Sequence, residues 1–125
     1  MNMKLDPTHI KECISLCWDC RTECEETLYN HCLVVGGKHA ESRHVKLMTD
    51  CIQICQTTAD FMVRNSESYL SVVNVCADVC EACAEACEQI GGEKMNHCAN
   101  LCRLCAQSCR AFNKQNKKDV KVAST

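Results

Sequence analysis

The stretch that decides the fold is CADVCEACAEAC, which runs from Cys76 to Cys87. Its four cysteines are spaced by four, three and four residues. At about 100° per residue, this spacing keeps all four on one narrow face of an α-helix. On a β-strand the same residues would be divided between the two faces of the sheet. The spacing therefore predicts a helix with a single line of thiols, which we call a cysteine stripe.

The same rhythm recurs in three other segments, so the chain is a fourfold repeat of one amphipathic pattern. The second segment keeps the spacing with several residue types and contributes only two cysteines. The members of the pattern are Cys13, Cys17, Cys20 and Cys24 in the first segment, His44, Met48, Cys51, Cys55, Thr58 and Met62 in the second, and Cys98, Cys102, Cys105 and Cys109 in the last.

Two glycine pairs and a polar run mark the turns between these segments, which we place near residues 7–34, 40–64, 67–90 and 93–114. Asp6 before Pro7 and, in the third segment, Ser66 are predicted N-caps. Short connections make consecutive helices antiparallel neighbours. We therefore expect an all-α fold, an up-down-up-down antiparallel four-helix bundle with a cysteine-lined core. Residues 1–113 would form the bundle and residues 114–125 a polar, frayed tail.

Composition limits the possible functions. The chain has fifteen cysteines but only two Phe, two Tyr and one Trp, so cysteine must fill much of the core. A net charge of −2 without a basic face argues against nucleic acid, and no apolar run reaches membrane-spanning length. Cysteine-rich chains are often secreted. Here the odd number of cysteines and the lack of an apolar run in the first seven residues predict a cytoplasmic protein with free or metal-bound thiols.

The stripe itself predicts metal binding. Side chains four residues apart on a helix have Cβ atoms about 5–6 Å apart, which is too far for a disulfide. An ion between two sulfur atoms fits that distance better. Soft thiolates select Cu(I), zinc or iron–sulfur clusters. Because each Cu(I) ion neutralises one thiolate, a buried array could hold about one Cu(I) per cysteine. Zinc prefers sites with four ligands, so the same array would hold fewer zinc ions.

The two ends of the predicted bundle differ. One end collects His31, Cys32, His44, Met48 and Met95, with Cys87 and Cys98 nearby, and the other collects aromatic residues. We expect the His/Met end to receive Cu(I) and the aromatic end, with Phe61, Tyr69 and Phe112, to form a plug. His44 lies on the stripe and is expected to bind metal, whereas Met48 and His31 could be ligands or serve structural roles. Met62 is expected in the core, and His9, His39 and His97 at the surface.

These features resemble the bacterial copper storage proteins of the cytosolic branch, over roughly residues 7–113. The resemblance implies a homotetramer of bundles, each of which stores many Cu(I) ions. By position, it implies that the principal ligands are the pairs Cys13/Cys17, Cys20/Cys24, Cys51/Cys55, Cys76/Cys80, Cys83/Cys87, Cys98/Cys102 and Cys105/Cys109, with Cys32 near the mouth.

The sequence as a whole favours a non-enzymatic Cu(I) store or buffer, with a copper donor or acceptor protein as a possible partner. A zinc or general soft-metal detoxification protein is the alternative, and an electron-transfer iron–sulfur protein is the third candidate. The Cys-x-x-Cys pairs lie within helices and lack the glycine-bearing turn of zinc sites. No cysteine precedes a proline as in bacterial ferredoxins.

Overall fold

Four long helices make up the part of the protein that the structure describes. The computed structural model describes the backbone of residues 7–123 and the side chains of residues 7–112. The helices are α1 (Pro7–Thr27), α2 (Ser42–Val63), α3 (Tyr69–Ile90) and α4 (Glu93–Ala123). A π-helical turn (Leu28–Cys32) and a short α-helical segment (Leu33–Val35) extend α1, and a 3-10 turn (Gly37–Ala40) leads to α2.

The helices form the predicted four-helix bundle. Each helix packs against the next in sequence, and α4 closes the ring against α1. The described residues 7–123 contain no strand. None of the helices in this part of the chain has both the length and the apolar character needed to cross a lipid bilayer.

The turns lie where the glycine pairs predicted them. Gly36 and Gly91 end their helices at φ 75° and 77°, a left-handed conformation that glycine adopts without a side-chain clash. In the remaining turn Asn65 has a φ of 54°, which Asn tolerates better than most residues.

Two predicted details of the helix ends are different in the structure. Ser66 is not the N-cap of the third helix. Its hydroxyl accepts a hydrogen bond from the Ser68 backbone N–H at 3.1 Å, and the helix begins at Tyr69. The last helix does not end near residue 114 but continues to Ala123, because residues 113–123 contain neither Gly nor Pro. The division into a bundle and a tail stays a prediction, and the predicted N-cap Asp6 lies outside the described residues.

Two arginines of α4 link it to α3 on the outside of the bundle. Arg103 donates to both carboxylate oxygens of Glu88, at 2.6 and 3.0 Å. Arg110, seven residues or about two helical turns further along, pairs with Asp78 and Glu81. Between these helices the interior positions include Ala77, Ala84, Ala99 and Ala106, whose small side chains let the two backbones approach closely.

Candidate metal centre

Every cysteine of the chain points into the bundle. All fifteen are completely inaccessible to solvent, and all are free thiols. This follows from the fold, because four antiparallel helices that each carry a stripe turn those stripes toward one axis. The structure thus brings together all the cysteines that the sequence singled out.

The thiols form a column along the bundle axis. Neighbouring sulfur atoms from different helices lie in van der Waals contact, well beyond the S–S bond length of about 2.05 Å. The sulfur–sulfur distances, starting from the end where α1 begins, include 3.8 Å for Cys13–Cys109, 3.6 Å for Cys17–Cys105, 4.0 Å for Cys55–Cys76, 3.6 Å for Cys55–Cys80 and 3.5 Å for Cys24–Cys98.

Cys51 lies at the centre of this column. Its sulfur is 3.8 Å from those of Cys20 and Cys80, and 3.9 Å from those of Cys24 and Cys102. These four neighbours come from the other three helices. The incomplete stripe of α2 therefore does not interrupt the column.

Several sets of sulfur atoms are close enough to hold one ion. In three sets of four, all sulfur atoms lie within 4.8 Å of one another. A metal–sulfur bond of about 2.3 Å requires sulfur–sulfur separations of about 3.8 Å in a tetrahedral site and about 4.0 Å in a trigonal one. The observed contacts of 3.5–4.0 Å are close to these values. The sets are Cys17/Cys76/Cys105/Cys109, Cys20/Cys24/Cys51/Cys102 and Cys20/Cys55/Cys80/Cys105.

Many of the thiols hold their protons firmly. Hydrogen bonds with neighbouring thiols, together with burial, raise the pKa values of Cys24 and Cys102 well above the ordinary value. Hydrogen bonds with Cys83 and Cys98, with burial, do the same for the pKa of Cys87. These groups are therefore neutral at pH 7 and pack as small apolar side chains. A metal ion that binds them must displace their protons.

A separate cluster of soft ligands lies beyond Cys24 at the other end of α1. Cys32 Sγ is 3.6 Å from His44 Nε2, 3.9 Å from Met48 Sδ and 3.7 Å from Met95 Sδ. We call these four residues the entrance cluster. Burial raises the pKa of Cys32 to about 11 and lowers the pKa of His44, so both are neutral at pH 7. The sequence placed Met95 at this end without counting it as a ligand, although it continues the α4 stripe three residues before Cys98.

The π-helical turn explains how Cys32 joins this cluster. Eight residues separate Cys32 from Cys24, so a regular α-helix would turn Cys32 about 80° away from the stripe. The π-turn (Leu28–Cys32) accommodates one extra residue and brings Cys32 back by about 100°. No pattern of residues predicts this turn, because the cysteine spacing simply breaks after Cys24.

The remaining histidines of this end lie outside the entrance cluster. His31 is partly exposed and contacts His39 edge to face, with ring centroids 5.0 Å apart. His97 is at the surface, as predicted, and its Nε2 is 3.4 Å from a carboxylate oxygen of Glu23.

The opposite end is closed by aromatic rings. Phe112 is fully buried, and its ring stacks on His9 with centroids 4.2 Å apart and meets Tyr69 edge to face. His9, which was predicted at the surface, is only partly exposed, and its Nε2 also lies 3.1 Å from the Ser108 backbone oxygen. Met62 is buried in the core, as expected.

Comparison with known proteins identifies the family. A family model described as copper storage protein matches residues 6–114. The crystal structure of the Nmul_A1745 protein from Nitrosospira multiformis has a TM-score of 0.82 and 42% identity, covering 86% of this chain and 96% of that one. The Cu(I)-bound copper storage protein BsCsp3 has a TM-score of 0.78 and 30% identity, covering 83% and 97%.

A curated relative is also cysteine-rich. The uncharacterized cysteine-rich protein YhjQ of Bacillus subtilis (strain 168) is 32% identical over 75 residues, which are 60% of this chain and 68% of that protein. The family model alone spans most of the chain and the whole thiol column. The chain therefore belongs to the copper storage protein family.

Proposed function

We propose that this protein stores many Cu(I) ions, about one per cysteine, as thiolate complexes inside the bundle. The column of fifteen buried, free thiols is the observation that carries the proposal. The related protein BsCsp3, whose structure contains Cu(I), supports the choice of metal. All fifteen cysteines are the proposed ligands, and the role is storage without catalysis.

Charge favours a monovalent cargo. Ionised thiolates in a core without water would be strongly destabilised unless a cation neutralises each of them. One Cu(I) per thiolate leaves the loaded column without net charge. An isolated zinc ion with four thiolates would instead carry a net charge of −2 at each site.

Zinc binding is the second candidate, because sets of four cysteines are the usual zinc site. The three sets found here are not independent, since Cys20 belongs to two of them and Cys105 also belongs to two. They cannot all be closed zinc sites at once without sharing ligands. A chain of bridging thiolates that each contact more than one ion fits this arrangement better.

The entrance cluster is the proposed point of copper entry. Cys32, His44 and Met48 would bind incoming Cu(I) and pass it to the column by ligand exchange, and His31 would act as an outer ligand at the same end. The test is the double variant His44→Ala/Met48→Leu, with His97→Ala as a matched control at the surface. Slower Cu(I) loading and removal in the double variant alone is expected, and unchanged rates would refute this role.

An anaerobic Cu(I) titration against a competing chelator tests the storage function. Bound copper and free thiols are counted in the same sample. We expect an endpoint near one ion per cysteine and ultraviolet absorption from Cu(I)–thiolate bonds. An endpoint of one or two ions per chain would refute storage. A colourless protein whose bound zinc is not displaced by Cu(I) would also refute it.

The compartment and the assembly are further parts of the proposal. Free thiols in contact with one another persist in a reducing compartment, so we place the protein in the cytoplasm. We also propose a homotetramer, which is supported by the exposed apolar side chains of Tyr29, Leu33 and Val34 on one helix. Sedimentation of the apo and loaded protein tests the oligomeric state, and a monomer in both would refute it.

A further inference from the structure

A surface cleft lies next to the entrance cluster. It has a volume of about 340 Å³ and is formed by the 3-10 turn, the beginning of α2 and the end of α3. Its walls include Lys38, Arg43, Gln89 and Ile90, and His44 also lines it. Because His44 contacts Cys32 as well, this side chain separates the cleft from the thiols inside.

The ring of His44 has two nitrogen atoms, but only one of them has a polar partner in the described part of the protein. Its Nε2 faces Cys32 Sγ at 3.6 Å, whereas its Nδ1 is buried and has no hydrogen-bond partner among the described residues. Only 5% of His44 is exposed. A histidine that binds metal through one nitrogen normally donates the other N–H to a carboxylate, a carbonyl or water. At His44 the described part of the protein supplies no such acceptor.

The rim of the cleft carries unpaired positive charge. Lys38 and Arg43 are exposed, and neither forms an ion pair within residues 7–112. Glu41 is the one acidic residue of the lining, so the cleft has a net positive charge when His44 is neutral. The cleft therefore suits an anionic ligand.

We infer that this cleft binds the Cu(I) complex of a small thiol that carries carboxylate groups. The inference rests on the proposed storage function. The volume is at the lower limit of ligand pockets, about 300–1,000 Å³, which fits a short peptide. Lys38 and Arg43 would bind the carboxylates, one of which would also accept the Nδ1–H of His44.

The transfer step keeps copper in the +1 state. The Cu(I)–sulfur bond of the carrier breaks as the bond to Cys32 Sγ forms, with His44 Nε2 and the neighbouring Met48 Sδ as further ligands. The thiol proton of Cys32 moves to the departing thiolate of the carrier. The free thiol then leaves the cleft, and no oxidant or reductant is needed.

The test compares two carriers with the intact protein. The transfer rate is measured under anaerobic conditions from Cu(I)–glutathione, which carries carboxylates, and from Cu(I)–2-mercaptoethanol, which carries none. The test variant is Lys38→Gln/Arg43→Gln. The control variant is Lys11→Gln/Arg64→Gln, which removes two charges of the same sign at the opposite end of the bundle.

We expect the test variant to slow transfer from Cu(I)–glutathione about fivefold, the effect of losing two exposed ion pairs. Transfer from Cu(I)–2-mercaptoethanol should not change, and the control variant should behave like the wild-type protein with both carriers. Equal slowing with both carriers, or no slowing with either, would overturn the inference.

The equilibrium Cu(I) capacity of the same variants separates this inference from the storage function. The capacity depends on the thiol column and not on the cleft. A wild-type protein that binds only one or two ions would refute storage, whatever the rates are. If the capacity is full but the test variant does not respond differently to the two carriers, the proposed binding of the carrier in the cleft is refuted and the storage function is not.

Discussion

Raising the pH should destabilise the metal-free protein sharply. Hydrogen bonds between thiols, with burial, raise the pKa of seven cysteines, and burial raises that of Cys32. In the unfolded chain the same thiols lose their protons near pH 8.5. The folded state therefore binds more protons than the unfolded state above that pH, so its stability falls as the pH rises. The eight residues are Cys17, Cys24, Cys32, Cys55, Cys80, Cys87, Cys102 and Cys109.

The expected change is large compared with the stability of a small domain. Between pH 8.5 and 9.5 each of the eight thiols removes about 1 kcal/mol, or about 8 kcal/mol in all. This loss of about 8 kcal/mol is comparable to the entire stability of many domains, about 5–15 kcal/mol.

Urea unfolding followed by circular dichroism, in anaerobic buffers from pH 7.5 to 9.5 with a reductant, measures this loss. The unfolding midpoint of the apo protein should fall gradually up to pH 8.5 and steeply above it. The Cu(I)-loaded protein is the control, because its thiols have already lost their protons. A midpoint of the apo protein that stays constant up to pH 9.5 would show that the buried thiols are not held neutral by the core.

Other measurements test separate parts of the structure. Phe112→Ala should cost about 3–5 kcal/mol in urea unfolding because the ring is fully buried, whereas Val75→Ala, at an exposed position, should change stability by less than about 0.5 kcal/mol. Cys51→Ser should lower the Cu(I) capacity more than Cys13→Ser, because the Cys51 sulfur contacts thiols of three other helices and that of Cys13 contacts one thiol, Cys109. Loading should release about one proton per ligating thiol, measured in weak buffer with a pH indicator, and acid should release the copper. Loading without proton release would mean that the thiols are ionised before copper binds.

The sequence predicted the part of the structure that depends on periodicity. Because side chains on a helix return to the same face every three or four residues, the cysteine spacing alone determined which residues would face the axis. The glycine pairs at residues 36–37 and 91–92 then placed the turns. The thiol column follows from these two observations and the antiparallel order of the helices.

The rest depended on contacts that no local pattern encodes. The π-turn before Leu33 changes the helical register, so the position of Cys32 could not be obtained by counting residues. His9 is polar and close to the start of the chain, which suggested a solvated residue. Its stacking on Phe112 requires the approach of two helices that are distant in sequence. The Nδ1 of His44 has no hydrogen-bond partner within residues 7–112, and no local pattern indicates this.

The extra residue in the π-turn makes the position of Cys32 independent of the number of thiols in the column. Evolution can therefore vary the copper capacity without changing the entrance cluster. Seven residues return a helix almost to the same face. The bundle can therefore gain or lose whole Cys-x3-Cys-x2 units, matched in all four helices, and change its capacity without rotating any thiol away from the axis. The rotation of Cys32 is produced locally, within Leu28–Cys32, and does not depend on how many such units precede it. A chain with more or fewer such units could thus keep the same entrance cluster.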